Sequence, residues 1–173
     1  MRVTTIHGPR DIRIEERDLP QVSAPTEAVV RVVASCVCGS DLWNYRGENE
    51  ISVGSTIGHE AIGVVEETGS AVTSFTDGDF VVIPFCHCDN TCANCANGAQ
   101  SVCTNLGFTQ GGQGEFVLVN QAEGSLVKVP ETPDESMLPG LLALADVMAT
   151  GWHAAVTSNV TQGSTALVVG DGA

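Results

Sequence analysis

Short β-branched segments separated by dense turn signals fill the first 130 residues of this 173-residue chain. Glycine and proline mark the connections, as in His7-Gly8-Pro9, Asp77-Gly78-Asp79 and the run 111–114. Many short strands joined by such turns pack as a barrel or a sandwich, because each strand must bury a face against another. The sequence therefore predicts a mainly β domain with a short helix within 38–45 and strands at 3–6, 12–15, 28–33, 61–66, 80–83, 115–119 and 126–129.

The character of the chain changes after Pro130. Residues 134–158 are rich in alanine and leucine and predict helix, with Pro139 in the first turn of a new helix, where its missing N–H costs least. Residues 165–169 form a short apolar run that is typical of a buried parallel strand. This run leads into Gly170-Asp171-Gly172-Ala173.

Composition and charge exclude several classes of protein. Seven basic and 21 acidic side chains give a net charge of −14, which argues against a nucleic-acid partner gripped through its phosphates. No apolar run reaches the ~20 residues of a membrane span, and the N-terminus lacks the apolar core of a signal peptide. We therefore expect a cytoplasmic protein with no membrane partner, whose seven cysteines stay reduced and serve as metal ligands before disulfides.

Residues 86–103 hold a D-x2-C-x2-C-x7-C pattern, which predicts a structural zinc site. Tetrahedral zinc takes four thiolate, imidazole or carboxylate ligands. Cys92, Cys95 and Cys103 supply three of them, and the fourth is Asp89, which has the regular spacing, or Cys88, which has the softer donor atom; the balance favours Asp89. The alternative is a loop with incidental cysteines, but a segment so poor in apolar residues needs another source of order.

A second, dispersed set of possible ligands consists of Cys38, His59 and Asp146. One thiolate, one imidazole and one carboxylate would make a three-ligand zinc site with an open fourth position, the arrangement of catalytic zinc. The pattern alone leaves a second interpretation, in which His59 and Glu60 form a structural pair and Asp146 caps or solvates its helix.

The order and separation of these motifs resemble the N-terminal half of a zinc-dependent medium-chain alcohol dehydrogenase. The resemblance implies a GroES-like β-barrel catalytic domain with short helices at 1–138, including the zinc lobe 86–103. It implies that 139–173 forms the linking helix and first strand of a truncated Rossmann α/β nucleotide-binding domain. On this basis we expect an N-terminal fragment that is inactive alone. The matching motifs are Cys38-Gly39-Ser40-Asp41, Gly58-His59-Glu60, the zinc lobe, Asp146 with Thr150-Gly151-Trp152-His153, and Val168-Val169-Gly170-Asp171-Gly172-Ala173.

The resemblance also assigns roles to individual residues. It places Cys38, His59 and Asp146 on the catalytic zinc ligands and Glu60 on a neighbouring carboxylate that approaches the metal. It makes Asp41 the acid that orients His59, and Ser40 the hydroxyl that relays the substrate proton. The remaining assignments are the structural zinc ligands Asp89 (or Cys88), Cys92, Cys95 and Cys103, the cofactor-binding residues Thr150, Gly170 and Gly172, and the substrate-pocket residues Trp43 and Phe85, whose aromatic rings are equally ordinary in a core.

The implied activity is oxidation of a zinc-bound alcohol to an aldehyde or ketone with hydride transfer to NAD or NADP. The intact enzyme would hold two zinc ions per chain and form a homo-oligomer, a dimer or tetramer. Its substrate would be a small molecule: a primary or secondary alcohol, a polyol or an amino alcohol. The third glycine of the dinucleotide-binding fingerprint is absent from the sequence. The ribose-binding acid, which would separate NAD from NADP, is absent as well. Two alternatives are a non-catalytic zinc-binding GroES-like module and a zinc-free quinone or enone reductase.

Overall fold

The computed structural model describes residues 1–170 of the chain. Within them it contains ten β-strands and five α-helices. The strands form three sheets, with the orders β2-β1-β4, β10-β6-β5-β3-β9 and β7-β8. They are β1 (Arg2–Gly8), β2 (Asp11–Glu16), β3 (Ala28–Ser35), β4 (Ser55–Thr56), β5 (Ala61–Thr68), β6 (Phe80–Ile83), β7 (Cys86–His87), β8 (Gly107–Phe108), β9 (Phe116–Val119) and β10 (Val127–Lys128).

The five-stranded sheet is antiparallel throughout and is covered on both faces. Strand β6 shows this, because its four residues are all buried and alternate between two apolar clusters. Val81 and Ile83 join the larger cluster, whereas Phe80 and Val82 join a smaller one that packs against leucines 138, 141 and 142. Burial on both faces explains why this strand is a continuous apolar run rather than an alternating one.

The three-stranded sheet is joined to the segment before β9 by an isolated bridge between Val3 and Gly114 and by hydrogen bonds of Thr4 N to the Gln113 carbonyl and of Glu115 N to the Arg2 carbonyl. Its central strand β1 buries Val3, Thr5 and Ile6 almost completely, and pairs with β2 from Arg2–Glu16 to Gly8–Asp11. The seven strands predicted within the first 130 residues thus all form, and together they confirm the mainly β domain.

The helices are short and lie between or after the strands. They are α1 (Asp41–Arg46), α2 (Ala93–Ala96), α3 (Ala122–Ser125), α4 (Leu138–Ala143) and α5 (Val147–Thr157), with 3₁₀ turns at Gln100–Val102 and Glu135–Met137. Pro139 lies in the first turn of α4, as predicted. The predicted helical stretch 134–158 is broken between α4 and α5, where the carbonyl of Ala145 accepts a hydrogen bond from Phe85 N (3.0 Å). No helix within residues 1–170 has the length and apolarity that crossing a bilayer requires.

The predicted strand at 165–169 is wrong for this structure, which assigns no strand there. Leu167, Val168 and Val169 are 80–91% exposed. A parallel strand takes its hydrogen bonds from neighbouring strands, and the described residues place none beside this run. Gly170 has a positive φ of 102°, and Gly172 lies outside the described residues.

Helix α3 is fastened to the loop between β5 and β6 by Glu123. Its carboxylate accepts hydrogen bonds from the backbone N–H and the hydroxyl of both Thr73 and Ser74. The Ser74 hydroxyl is the main cause that lowers the pKa of Glu123 to about 2. The ionised carboxylate is therefore the form that the native fold favours.

We expect Glu123→Gln to lower the free energy of unfolding by about 1 kcal/mol at pH 7, because an amide accepts these hydrogen bonds less well. Since the folded pKa is depressed, the stabilisation is full above the unfolded value of about 4.3 and fades as the pH falls toward 2. Urea unfolding at pH 7 and pH 3 measures both effects. Glu131→Gln, an exposed site, is the matched control, and an equal effect of both variants at pH 7 would contradict this account.

Candidate metal centres

The dispersed candidate ligands converge because β3 and β6 end, and β5 begins, at the same end of the five-stranded sheet. Ser35, the last residue of β3, pairs with Ala61, the first of β5, and Ala61 pairs with Ile83, the last of β6. Cys38 follows β3, and His59 precedes β5. Strand pairing therefore brings together two residues that are 21 positions apart in the sequence.

Cys38, His59, Glu60 and Asp146 form a compact set of donor groups, whose ligand atoms all lie within 4.8 Å of one another. His59 Nε2 is 3.4 Å from Glu60 Oε1 and 3.6 Å from Asp146 Oδ2. Cys38, His59 and Glu60 are buried, and Asp146 is partly exposed. One imidazole thus faces two carboxylates and a thiol in a site largely closed to water.

Asp41 lies on the other side of the imidazole, with Oδ1 3.6 Å from His59 Nδ1. This carboxylate holds the pKa of His59 above its ordinary value, and burial acts in the opposite direction. Asp41 Oδ2 accepts the backbone N–H of Cys38 at 2.9 Å. Asp41 therefore links the imidazole and the backbone of the thiol residue while leaving Nε2 directed at the donor set.

Gln113 braces the same site from the neighbouring loop. Its Nε2 donates to the carbonyl of Cys36 (3.2 Å) and to Asp41 Oδ2 (3.4 Å). Gly58 permits this approach, since a Cβ there would meet Gln113 Cγ at 2.6 Å and the local φ is +93°. Sequence reasoning missed Gln113, because a lone glutamine in a glycine-rich loop carries no motif.

Glu60 is the least ordinary member of the set, with a relative exposure of only 1%. Its Oε2 accepts the thiol of Cys36 at 2.9 Å, whereas its Oε1 has no hydrogen-bond partner within residues 1–170. Burial, followed by the hydrogen bond to Glu60, raises the pKa of Cys36 to about 12, so this residue donates as a thiol at neutral pH. A buried carboxylate oxygen without a donor fits a cation site, as does the mixed set of sulfur, nitrogen and oxygen ligands.

Asp146 reaches the set from the break between α4 and α5. The hydrogen bond of Phe85 N to the Ala145 carbonyl anchors this break to the end of β6. Thr150, one turn further along α5, donates its hydroxyl to Asp146 Oδ1 at 2.7 Å. The predicted pocket residue Phe85 also packs on the imidazole of His59, with ring centroids 4.7 Å apart.

The second compact set lies in the lobe and contains Asp89, Cys92, Cys95 and Cys103, again with ligand atoms within 4.8 Å of one another. Asp89 Oδ1 accepts the backbone N–H groups of Thr91 and Cys92, and Oδ2 accepts Asn105 Nδ2 at 2.6 Å. These bonds, above all that from Thr91, lower the pKa of Asp89. The carboxylate is thus ionised and held beside the three sulfur atoms.

Two thiols of the lobe have pKa values that are shifted in opposite directions. Backbone N–H groups of Thr104 and Cys95 lower the pKa of Cys92 to about 6, whereas burial raises that of Cys95. Cys88 is outside the compact set, because its thiol lies 3.6 Å from the carbonyl of Gly124 in α3. This geometry favours Asp89 over Cys88 as the fourth ligand.

The other predicted residues lie around these two sets. Ser40 directly precedes α1 and is exposed, and Trp43 in the same helix is 53% exposed. Thr150 is exposed on α5, in contact with Asp146. The structure therefore brings the metal-ligand candidates together, whereas Gly170 lies in a segment with no assigned helix or strand and belongs to neither set.

The chain is similar in sequence to known proteins over most of its length. The alcohol dehydrogenase GroES-like domain family matches residues 24–131, more than half of the chain. Zinc-type alcohol dehydrogenase B of Aspergillus flavus is 35% identical over an alignment of 170 residues. The alignment covers 95% of this chain and 39% of that protein. The chain thus spans well under two thirds of this relative.

Solved structures show the same relationship. Alcohol dehydrogenase TADH from Thermus sp. ATN1 has a TM-score of 0.85 and 27% identity, covering 92% of this chain and 48% of that one. An alcohol dehydrogenase from Escherichia coli CFT073, complexed with the cofactor NADH, has a TM-score of 0.65 and 32% identity, covering 80% and 41%.

The predicted fold class is therefore confirmed, and the chain corresponds to the N-terminal half of these enzymes. From its domain match, its relatives and its two candidate metal sites, the chain belongs to the zinc-dependent medium-chain alcohol dehydrogenase family and carries the GroES-like domain of that family.

Proposed function

We propose that this chain carries the catalytic domain of an enzyme that oxidises an alcohol to an aldehyde or ketone with hydride transfer to NAD or NADP. The observation that carries the proposal is the largely buried set of Cys38, His59, Glu60 and Asp146, in which one carboxylate oxygen of Glu60 has no hydrogen-bond partner within residues 1–170. Burying a charged carboxylate without a partner raises the free energy of the folded state, and a bound cation offsets that increase.

In this proposal Cys38, His59 and Asp146 hold a catalytic zinc ion, and Asp89, Cys92, Cys95 and Cys103 hold a structural one. Glu60 stands beside the catalytic ion as a fourth protein group. When bound, zinc supplies a Lewis acid that lowers the pKa of a nearby hydroxyl, and the nicotinamide supplies the hydride acceptor.

The residues around the donor set have separate tasks. Asp41 fixes the imidazole of His59 from the Nδ1 side, which keeps Nε2 available as a ligand atom. Ser40, two residues after Cys38 and exposed to solvent, would accept the proton of the alcohol while its own hydroxyl proton leaves to water or to the cofactor ribose. Phe85 covers one side of the imidazole and excludes water from it, and with Trp43 it lines the substrate pocket.

The rest of the enzyme follows the family pattern in this proposal. Residues 1–138 form the catalytic domain, and 139–173 begin the nucleotide-binding domain, where Thr150, Gly170 and Gly172 contact the cofactor. The E. coli relative binds NADH, which supports a nicotinamide cofactor here. The substrate is a small alcohol, aldehyde or ketone, and the intact enzyme is a homo-oligomer.

Cys95→Ser is expected to lower the zinc content of the full-length protein from two ions per chain to one, because a hydroxyl replaces a buried thiolate ligand. Inductively coupled plasma mass spectrometry of the dialysed protein measures this ratio. Cys88→Ser is the matched control and should retain both ions, since its thiol faces α3. Zinc content unchanged by Cys95→Ser would refute the structural site, and loss on Cys88→Ser would make Cys88 the fourth ligand.

Cys38→Ala is expected to remove the other zinc ion and to reduce alcohol oxidation to background, because the site then lacks its only thiolate. Zinc analysis and NAD(P) reduction, tested on the full-length protein with a panel of alcohols, are the two readouts. Cys86→Ala removes an exposed thiol outside both donor sets and serves as the control.

Three results separate the candidate functions. Two zinc ions in the wild type and loss of turnover in Cys38→Ala support the dehydrogenase. One zinc ion and no turnover in the wild type indicate a zinc-binding module, and no zinc indicates a reductase of quinones or enones. Near-normal turnover by Cys38→Ala would overturn the catalytic assignment.

A further inference from the structure

Cys36 and Glu60 face each other across the end of the β3–β5 ladder. The last pair of that ladder is Ser35 with Ala61, so Cys36 and Glu60 are the next residues in register. Their backbones remain in contact, since Cys36 N donates to the carbonyl of Glu60 at 3.4 Å. The positions of these two side chains are therefore set by strand pairing rather than by a flexible loop.

The contacts of the Glu60 carboxylate are unequal. Oε2 has one donor, the Cys36 thiol at 2.9 Å, while Oε1 has none within residues 1–170 and lies 3.4 Å from His59 Nε2. The side chain is almost completely buried, so bulk solvent does not reach it. The thiol thus fixes one oxygen and leaves the other pointing at the metal-ligand candidates.

Cys36 is itself held in place without belonging to the donor set. Its carbonyl accepts Gln113 Nε2 at 3.2 Å, and its sulfur is not among the four groups whose ligand atoms lie within 4.8 Å of one another. The contact of the Cys36 thiol with the donor set is therefore its hydrogen bond to the Glu60 carboxylate.

We propose that Cys36 is a positioning residue, whose thiol holds Glu60 by Oε2 and keeps that carboxylate beside the ion instead of on it. This inference rests on the proposed function, because it assumes an ion among Cys38, His59 and Asp146. Without the thiol, the buried carboxylate has no donor, and the ion is the partner within its reach. Glu60 then turns inward and occupies the position that a substrate oxygen needs.

The test replaces zinc by cobalt(II) in the full-length protein and compares Cys36→Ala, Cys36→Ser and Cys86→Ala. Visible ligand-field bands of cobalt are strong in a tetrahedral site and weaken when a fifth ligand is added. The lobe contributes the same bands to every variant, so difference spectra report the site that contains Cys38. Urea unfolding of each variant separates a change at the metal from a general loss of stability.

Cys36→Ala is expected to weaken the bands and to lower alcohol oxidation about tenfold, the scale typical of lost support to a metal site. Cys36→Ser restores both, because a hydroxyl also donates to Glu60. Cys86→Ala matches the wild type. In a Glu60→Gln background, Cys36→Ala causes no further spectral change.

Two results would overturn the inference, and they differ in what they imply for the proposed function. Identical cobalt spectra for the wild type and Cys36→Ala refute the positioning role, even if stability falls, and leave the proposed function intact. A wild-type protein that takes up cobalt only in the lobe refutes the proposed catalytic site and this inference with it.

Discussion

The antiparallel pairing of β3 with β5 is the constraint on which the catalytic proposal depends. It brings the residues after one strand against the residues before the other, and the pairing of β5 with β6 adds the end of a third strand. Cys38, His59 and Phe85 meet there without any local sequence signal that they should. The two apolar clusters that cover the sheet fix its register, because a slip of one residue would turn buried side chains to the opposite face.

Electrostatics explains why such a site calls for a cation. His59 is surrounded by Asp41, Glu60 and Asp146, and no lysine or arginine within residues 1–170 forms an ion pair with these three acids. Three carboxylates around one imidazole leave excess negative charge in a largely dry environment. The pKa of His59 is raised, and Oε1 of Glu60 has no hydrogen-bond partner within residues 1–170. Both observations reflect this excess of negative charge.

The sequence predicted the strands and the grouping of Asp89, Cys92, Cys95 and Cys103 in the lobe, because both have local signatures. Strand β6 is an apolar run bounded by turns, and the spacing of Cys92, Cys95 and Cys103 suits one ion. The dispersed site needed the family resemblance, since Cys38 and Asp146 are more than 100 residues apart. Cys36 and Gln113 could not have been found, because their importance depends on the register of a sheet and on the space left by Gly58.

Other misses have a common physical cause. Strands β4, β7 and β8 have two residues each, too few for a periodic pattern. The run 165–169 has strand composition, yet local preference does not make a strand without a partner. The preference for Asp89 over Cys88 was not a miss, but the tertiary contacts that support it, those of Asn105 with the carboxylate and of Gly124 with the thiol, have no local sequence signal.

Anomalous diffraction at the zinc absorption edge, from crystals of the zinc-loaded protein, tests the central claim most directly. The account predicts two peaks in each chain. One lies among Cys38, His59 and Asp146, beside Glu60, and the other lies among Asp89, Cys92, Cys95 and Cys103. A zinc-loaded crystal with no peak among Cys38, His59 and Asp146 would contradict the account.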